Sequence, residues 1–151
     1  YNSSGTTPST SKDHVIGCTD GTSTYYEHET GLNQVKEGAT TAITANIESG
    51  DFDIGQQGLD GDGEYMMKIR RIIPDFLAQT GDARITLNLR DFPNDVSVSS
   101  SLGPFTITSG TQKIDTRARA RSVSLKVDNT STSQFWRLGT FRLDIQPDGR
   151  R

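Results

Sequence analysis

The chain has 151 residues, of which 31% are hydrophobic and 23% are charged, and its mean hydropathy is -0.58. This length suits a single domain, and because no apolar run approaches the roughly 20 residues of a membrane-spanning helix, we expect no membrane insertion. The only cysteine, Cys18, excludes an intrachain disulfide framework and favours synthesis in a reducing compartment.

Charge is distributed unevenly along the chain, although the net charge is only -3. Residues 1–64 contain two lysines and eleven acidic residues, which gives this part a net charge of -9. Residues 65–112 carry a net charge of +1, and residues 113–151 carry a net charge of +5. This asymmetry predicts complementary surfaces, either between neighbouring chains or between the two halves of one chain.

The first 64 residues predict an N-terminal part with few strands. Residues 1–24 are rich in Ser, Thr and Gly and have almost no apolar periodicity, so we expect an extended arm or linker. Only residues 15–18 within it have the composition of a short strand. Residues 25–64 predict an acidic, loop-rich segment with short strands, among them an alternating stretch at 51–54 and a glycine-rich loop at 55–63.

From residue 65 onward the sequence has the pattern of regular strands. Residues 65–73 form a strand candidate that ends at Pro74, because proline cannot donate a hydrogen bond to a ladder. Ile85, Leu87 and Leu89 alternate with polar residues, and this period of two predicts a strand with one buried face. A further short strand is expected just before Ser109 and Gly110.

The run from residue 111 to 127 contains an arginine ladder, Arg117, Arg119 and Arg121. Apolar residues of the same parity follow at positions 123, 125 and 127. If the whole run is one strand, one of its faces changes from guanidinium groups to apolar side chains partway along it. The three arginines would then lie about 6–7 Å apart, leave the core and face a partner.

The last predicted strand contains Phe141, Leu143 and Ile145, which alternate with Arg142 and Asp144. Several strands separated by turns in this short stretch predict an all-β chain, with an antiparallel β-sandwich or barrel-like domain over residues 65–151. We expect no long helix in this domain. The side chains expected to face its core are Ile85, Leu87, Leu89, Val123, Leu125, Phe141, Leu143 and Ile145.

Residues suited to metal binding or catalysis do not form a recognisable motif. The acidic run at 60–64 alternates as an EF-hand loop does at its start, but the twelfth position is Arg71, where a bidentate glutamate is needed. The chain contains no Gly-x-Ser-x-Gly nucleophile elbow with which His14 or His28 could form a hydrolytic triad. We therefore expect a protein that is not an enzyme and that needs no metal or cofactor.

The arginine ladder has two kinds of candidate partner. Phosphate groups suit arginine geometry, but no aromatic residues interleave the ladder for base stacking, and the chain as a whole is acidic. Ion pairing with acidic groups of the same or a neighbouring subunit is favoured, and Asp51 and Asp53 are candidate partners. Trp136 is predicted to anchor the core or an interface rather than to bind a ligand. The candidate subunit-interface residues are therefore Arg117, Arg119, Arg121, Asp51, Asp53 and Trp136.

Particular segments also carry a family resemblance. They are HETG at 28–31, IESGDFDIG at 47–55, RRIIPD at 70–75, RARAR at 117–121 and WRLGTFRLDIQPDGRR at 136–151. Together they cover about residues 25–151, and the C-terminal segment is the most specific of them. The chain resembles the C-terminal region of a virion structural protein of short-tailed bacteriophages, of the tail-nozzle or tail tubular protein B kind.

This resemblance implies a β-rich homo-oligomer assembled as a hexameric ring below the portal and adaptor. Such a ring forms part of the DNA-ejection channel in the virion tail and carries fibres or other tail proteins. It further implies that DNA transits the ring without sequence-specific binding, and that the protein is made in the host cytoplasm.

Two other classes of function stay open at this point. The first is a carbohydrate-binding β-sandwich that uses Tyr25 and Tyr26 as an aromatic platform. The second is a glycan depolymerase, for which no convincing pair of carboxylates stands out. Binding to glycans would favour the first, and turnover of a glycan would favour the second.

Overall fold

The structure is a computed structural model that describes residues 15–17, 25–27, 31–36, 38–55, 58–59, 63–92 and 97–150. For 15–17, 25–27 and 58–59 it describes the backbone alone. Every regular element in these residues is a strand and none is a helix, so the all-β prediction is confirmed. The chain divides into two compact units, Tyr1–Gly31 and Leu32–Arg151.

The first unit contains one described pair of strands. Strand β1 (Val15–Gly17) pairs with β2 (Tyr25–Glu27) in antiparallel orientation, and Val15 lies opposite Glu27. Strand β1 lies within residues 15–18, whose composition predicts a short strand. The expectation of an extended arm over residues 1–24 falls for the most part outside the described residues, as do His14, Cys18 and His28.

The second unit contains thirteen strands among the described residues. They are β3 (Asn33–Lys36), β4 (Ala39–Ala42), β5 (Asn46–Glu48), β6 (Ile54–Gly55), β7 (Gly58–Leu59), β8 (Met67–Ile73), β9 (Phe76–Thr80), β10 (Ala83–Arg90), β11 (Ser100–Ile107), β12 (Ile114–Ala120), β13 (Ser122–Asp128), β14 (Phe135–Leu138) and β15 (Arg142–Pro147).

Two antiparallel sheets organise this unit. One is four-stranded with the order β11-β10-β13-β5, and the other is three-stranded with the order β12-β8-β15. Smaller two-stranded sheets join β14 to β9, β3 to β4 and β6 to β7. Part of the acidic segment adds to the four-stranded sheet, because the amide groups of Ser49 and Phe52 donate to carbonyl groups of β13.

The core lies between the inner faces of the two large sheets. In β10, Ile85 and Leu87 are fully buried, and they lie opposite Val127 and Leu125 of β13. The three-stranded sheet adds further buried side chains from β8 and β12 to the same cluster: Met67, Ile69, Ile72, Ala118 and Ala120. This shared core gives the sandwich-like packing that the sequence predicted.

The side chains predicted to face inward do so to different degrees. Ile85, Leu87, Leu89, Val123 and Leu125 are buried. Phe141, Leu143 and Ile145, which lie at or in the edge strand β15, are half-buried and pack against the core. Strand β15 is bonded only to β8 within the three-stranded sheet, so its inner side chains are covered less completely.

The prediction of a single strand over residues 111–127 was wrong. The chain leaves the three-stranded sheet after Ala120, passes Arg121 and enters the four-stranded sheet at Ser122. In β12 the buried positions are even-numbered, whereas in β13 Val123, Leu125 and Val127 are buried. The crossing was hidden because no Gly or Pro marks it, and because the core positions of β12 hold small residues.

A paired bend connects the three-stranded sheet with the β14-β9 sheet. Pro74 and Asp75 separate β8 from β9, and Gly139 and Thr140 lie between β14 and β15. The amide of Gly139 donates to the Asp75 carbonyl at 2.8 Å, and a Cβ atom at position 139 would lie 2.9 Å from that oxygen. A glycine is therefore needed for the two bends to meet this closely.

Ile85→Ala is expected to lower the free energy of unfolding by about 2–5 kcal/mol, because it leaves a cavity in the shared core. Leu77 on β9 is 71% exposed, so Leu77→Ala should change stability by no more than about 0.5 kcal/mol. Urea unfolding of both variants measures the difference. Equal losses in the two variants would contradict the placement of the core.

Candidate assembly surface

The outer face of the three-stranded sheet is rich in cations. Because alternate residues of each strand enter the core, the intervening positions point to solvent. We call this surface the basic face, and its cationic residues are Lys68, Arg70 and Arg71 on β8, Arg117 and Arg119 on β12, and Arg142 on β15.

Like charges face each other across the strands of the basic face. Arg119 is the register partner of Lys68, and both side chains are exposed. A register shift between Asp115 and Ala118 sets Thr116 and Arg117 opposite Arg70. Thr116 is buried and its hydroxyl donates to the Ile69 carbonyl at 2.7 Å, so Arg117 is the outward residue of the two. Opposed like charges on one face destabilise a sheet, so the stability of the sheet does not account for their clustering here.

Aspartates neutralise one end of the basic face. Arg71 lies between the register partners Asp115 and Asp144, and its Nε donates to Asp115 Oδ1 at 2.9 Å. The hydrogen bond from Arg71, joined by one from Lys113, lowers the pKa of Asp115 below its ordinary value. In return, the hydrogen bond and charge of Asp115 raise the pKa of Arg71. Asp148 forms a second ion pair on this side of the molecule, with Arg119.

Four cations of the basic face have no such neutralisation. Lys68, Arg70, Arg117 and Arg142 form no ion pair among the residues that the structure describes. All four are exposed. The basic face therefore carries a surplus of positive charge that the described part of the chain leaves available.

The outer face of the four-stranded sheet has a different charge balance. Arg84 pairs with Asp128 at 2.6 Å, and Arg90 pairs with Asp51 at 2.9 Å. Arg84, Asp128 and Arg90 are half-buried and Asp51 is exposed, and the two pairs neutralise these charges within the chain.

Glu48 on β5 is held by the same four-stranded sheet. Its Oε1 accepts hydrogen bonds from the Ser124 hydroxyl at 2.7 Å and from Asn88 Nδ2 at 2.6 Å. These two hydrogen bonds lower the pKa of Glu48 below its ordinary value, with smaller contributions from the charges of Lys126 and Arg90. The carboxylate is thus stabilised within its own chain.

The structure separates the three residues of the arginine ladder. Arg117 and Arg119 lie on the basic face, whereas Arg121 occupies the crossing between the sheets. The Arg121 guanidinium donates through Nη1 to the carbonyls of Gly63 and Glu64, at 2.9 and 3.2 Å. The prediction that all three share one strand face was therefore wrong for Arg121, because the strand ends before it.

Asp51 and Asp53 are the acidic residues predicted to pair with the arginine ladder. Asp51 pairs with Arg90 of the four-stranded sheet rather than with the arginine ladder. Asp53 is half-buried and precedes Ile54 of β6. Sequence reasoning missed four cations of the basic face, Lys68, Arg70, Arg71 and Arg142. Their outward positions in β8 and β15 were the available signal.

Trp136 anchors the end of the sandwich formed by β14 and β9. Its ring meets Phe76 edge-on with centroids 6.5 Å apart, and its Nε1 donates to Asn129 Oδ1 at 3.1 Å. Asn129 is buried, and its side chain also holds the backbone of Ile43 and Ala45. Trp136 is half-buried and packs against the core, so its indole serves the fold.

The described residues contain neither a metal-binding cluster nor a membrane-spanning helix. No group of three or more His, Cys, Asp or Glu side chains in this part of the chain is arranged to hold a metal ion. No helix within the same residues is long and apolar enough to cross a membrane. The side chains of Tyr25 and Tyr26 lie outside what the structure describes.

Comparison with known proteins adds no assignment. No protein-family model matches the chain, and the search of curated proteins found no match either.

Arg121→Ala is expected to lower the free energy of unfolding by about 1–3 kcal/mol, because it removes charged hydrogen bonds to two backbone carbonyls. Arg117→Ala is the matched control, since Arg117 is exposed and should change stability by about 0.5 kcal/mol or less. Chemical unfolding of both variants measures this. A larger loss for Arg117→Ala would refute the assignment of the crossing.

Arg71→Gln is expected to raise the pKa of Asp115 toward the ordinary aspartate value. A carboxyl with a lowered pKa stabilises the folded state above its unfolded-state pKa, and this contribution disappears as the pH falls through the lowered value. Titration of the Asp115 carboxyl carbon by NMR measures the change. Arg142→Gln should leave that pKa unchanged, and an equal shift in both variants would argue against a specific pair.

Proposed function

We propose that this chain is a structural, non-enzymatic component of a bacteriophage virion tail, and that it acts there in the nozzle that conducts DNA out of the particle. The segments at 28–31, 47–55, 70–75, 117–121 and 136–151 support this proposal through their resemblance to short-tailed phage structural proteins. The β-rich unit agrees with the architecture that this resemblance implies.

The observation that carries the proposal is the surplus charge of the basic face. Lys68, Arg70, Arg117 and Arg142 are exposed cations on a regular sheet, and they have no ion pair among the described residues. A sheet face with a surplus of positive charge suits attachment to another protein surface, where complementary charge guides association and register. Proteins that act by assembly need such surfaces rather than a catalytic cleft.

The opposite sheet supports the same interpretation. Its Arg84–Asp128 and Arg90–Asp51 pairs neutralise it internally, so the asymmetry between the sheets does not come from a generally basic chain. The whole chain is acidic, with a net charge of -3. In a homo-oligomeric ring, a basic surface of one copy can meet an acidic part of the next.

Deletion and complementation of the gene in its phage would test the proposed function. Particles made without the protein should fill with DNA but lack a complete tail, and wild-type protein supplied from a plasmid should restore infectivity. Labelling with antibodies should place the chain at the tail in electron micrographs. Infectious, complete particles in its absence would overturn the proposal.

A further inference from the structure

We propose that the basic face binds the acidic first unit, Tyr1–Gly31, of a neighbouring copy of the same chain. This proposal rests on the proposed structural function and names the partner of its assembly surface. The first unit contains four acidic residues, Asp13, Asp20, Glu27 and Glu29, against a single base, Lys12. Its net charge of -3 is opposite in sign to the surplus of the basic face.

The arrangement of the basic face indicates that it receives an anionic group. Lys68 lies opposite Arg119, and Arg70 lies opposite Arg117, so like charges meet in two neighbouring rows. Asp148 already compensates Arg119 through an ion pair, so the uncompensated repulsion is that between Arg70 and Arg117. Carboxylates placed between the rows would relieve this repulsion and would accept paired hydrogen bonds from the guanidinium groups.

Protein carboxylates fit this face better than nucleic-acid phosphates. Asp115 and Asp144 lie on the same face and would repel a phosphate backbone. Among its described residues the face has no aromatic side chain on which bases could stack, because the other outward positions hold Ile73 and Gln146. A segment that presents separate carboxylates can avoid the aspartates, whereas a continuous polyanion cannot.

The first unit is favoured over the rest of the chain because it carries the whole net charge of -3, and because several acidic residues of the second unit are already engaged. Glu48 is bound by Ser124 and Asn88, and Asp51 is paired with Arg90. Glu64 is paired with Arg150 at 3.2 Å. Breaking such contacts to reach a neighbour would offset much of the gain from new ion pairs.

The geometry of this contact determines the type of assembly. The two surfaces are different parts of the chain, so each copy offers one basic face and one acidic unit. Such a heterologous contact joins copies head to tail, and it forms a ring when the rotation between copies closes. A self-complementary two-fold dimer would instead require the same patch on both copies.

Variants of the 151-residue chain test the contact by sedimentation. A face variant would carry Lys68→Gln, Arg70→Gln and Arg117→Gln, and an arm variant would carry Asp20→Asn, Glu27→Gln and Glu29→Gln. Each should associate about tenfold or more weakly than the wild type, because several exposed charge pairs are lost together. Arg137→Gln removes an exposed cation on β14 and should associate as the wild type does.

Mixing the variants distinguishes a head-to-tail contact from other contacts. The face variant keeps its acidic unit and the arm variant keeps its basic face, so a one-to-one mixture should form heterodimers and stop there. A chain that carries glutamate at the three face positions and lysine at the three arm positions should recover association.

The proposal is overturned if association does not depend on either set of charges. It is also overturned if the wild type stays monomeric, as it would if the first unit bound its own basic face. Tight binding of a DNA oligonucleotide that is lost in the face variant would assign the face to nucleic acid instead. If these tests fail while antibody labelling still places the chain in the tail, the proposed function stands and only this partner is wrong.

Discussion

The architecture of the second unit depends on the strand crossing at Arg121. A strand directs alternate side chains to opposite faces. At the crossing the buried parity changes, from Ala118 and Ala120 in β12 to Val123 and Leu125 in β13. Because Ala118 and Ala120 point inward, Arg117 and Arg119 on the same strand point outward. The alternation in β12 therefore contributes to both the core and the basic face.

Much of this fold could be predicted because period-two patterns depend on local sequence. Ile85, Leu87 and Leu89 alternate so regularly that only a strand with one buried face accommodates them, and the structure confirms it. The crossing at Arg121 could not be predicted in this way. Alanine is compatible with either face, and the choice between one long strand and two short ones depends on pairing with β8 and β10, which are distant in sequence.

Only part of the basic face could be predicted, because the rest depends on pairing between strands that are distant in sequence. The arginines stand out as a sequence motif, but Lys68 and Arg142 join them only because β8 lies between β12 and β15 in the sheet. The pairing of Asp51 with Arg90 could not be predicted either, since many cations in the chain were equally available. Composition shows that charge is asymmetric along the sequence. The fold decides which charges are neutralised locally and which stay exposed without an ion pair in the described part of the chain.

The contrast between the two sheets has a consequence for how the protein responds to ionic strength. In the Arg84–Asp128 and Arg90–Asp51 pairs the partners are in contact, and all of these side chains except Asp51 are half-buried, so dissolved ions screen the pairs weakly. The cations of the basic face are exposed, and in about 0.1 M salt their fields decay over about 10 Å. Changes in ionic strength thus act more on the field that the basic face presents to solvent than on the ion pairs of the four-stranded sheet. The division of charge between the sheets separates the response of the surface field to salt from that of the fold.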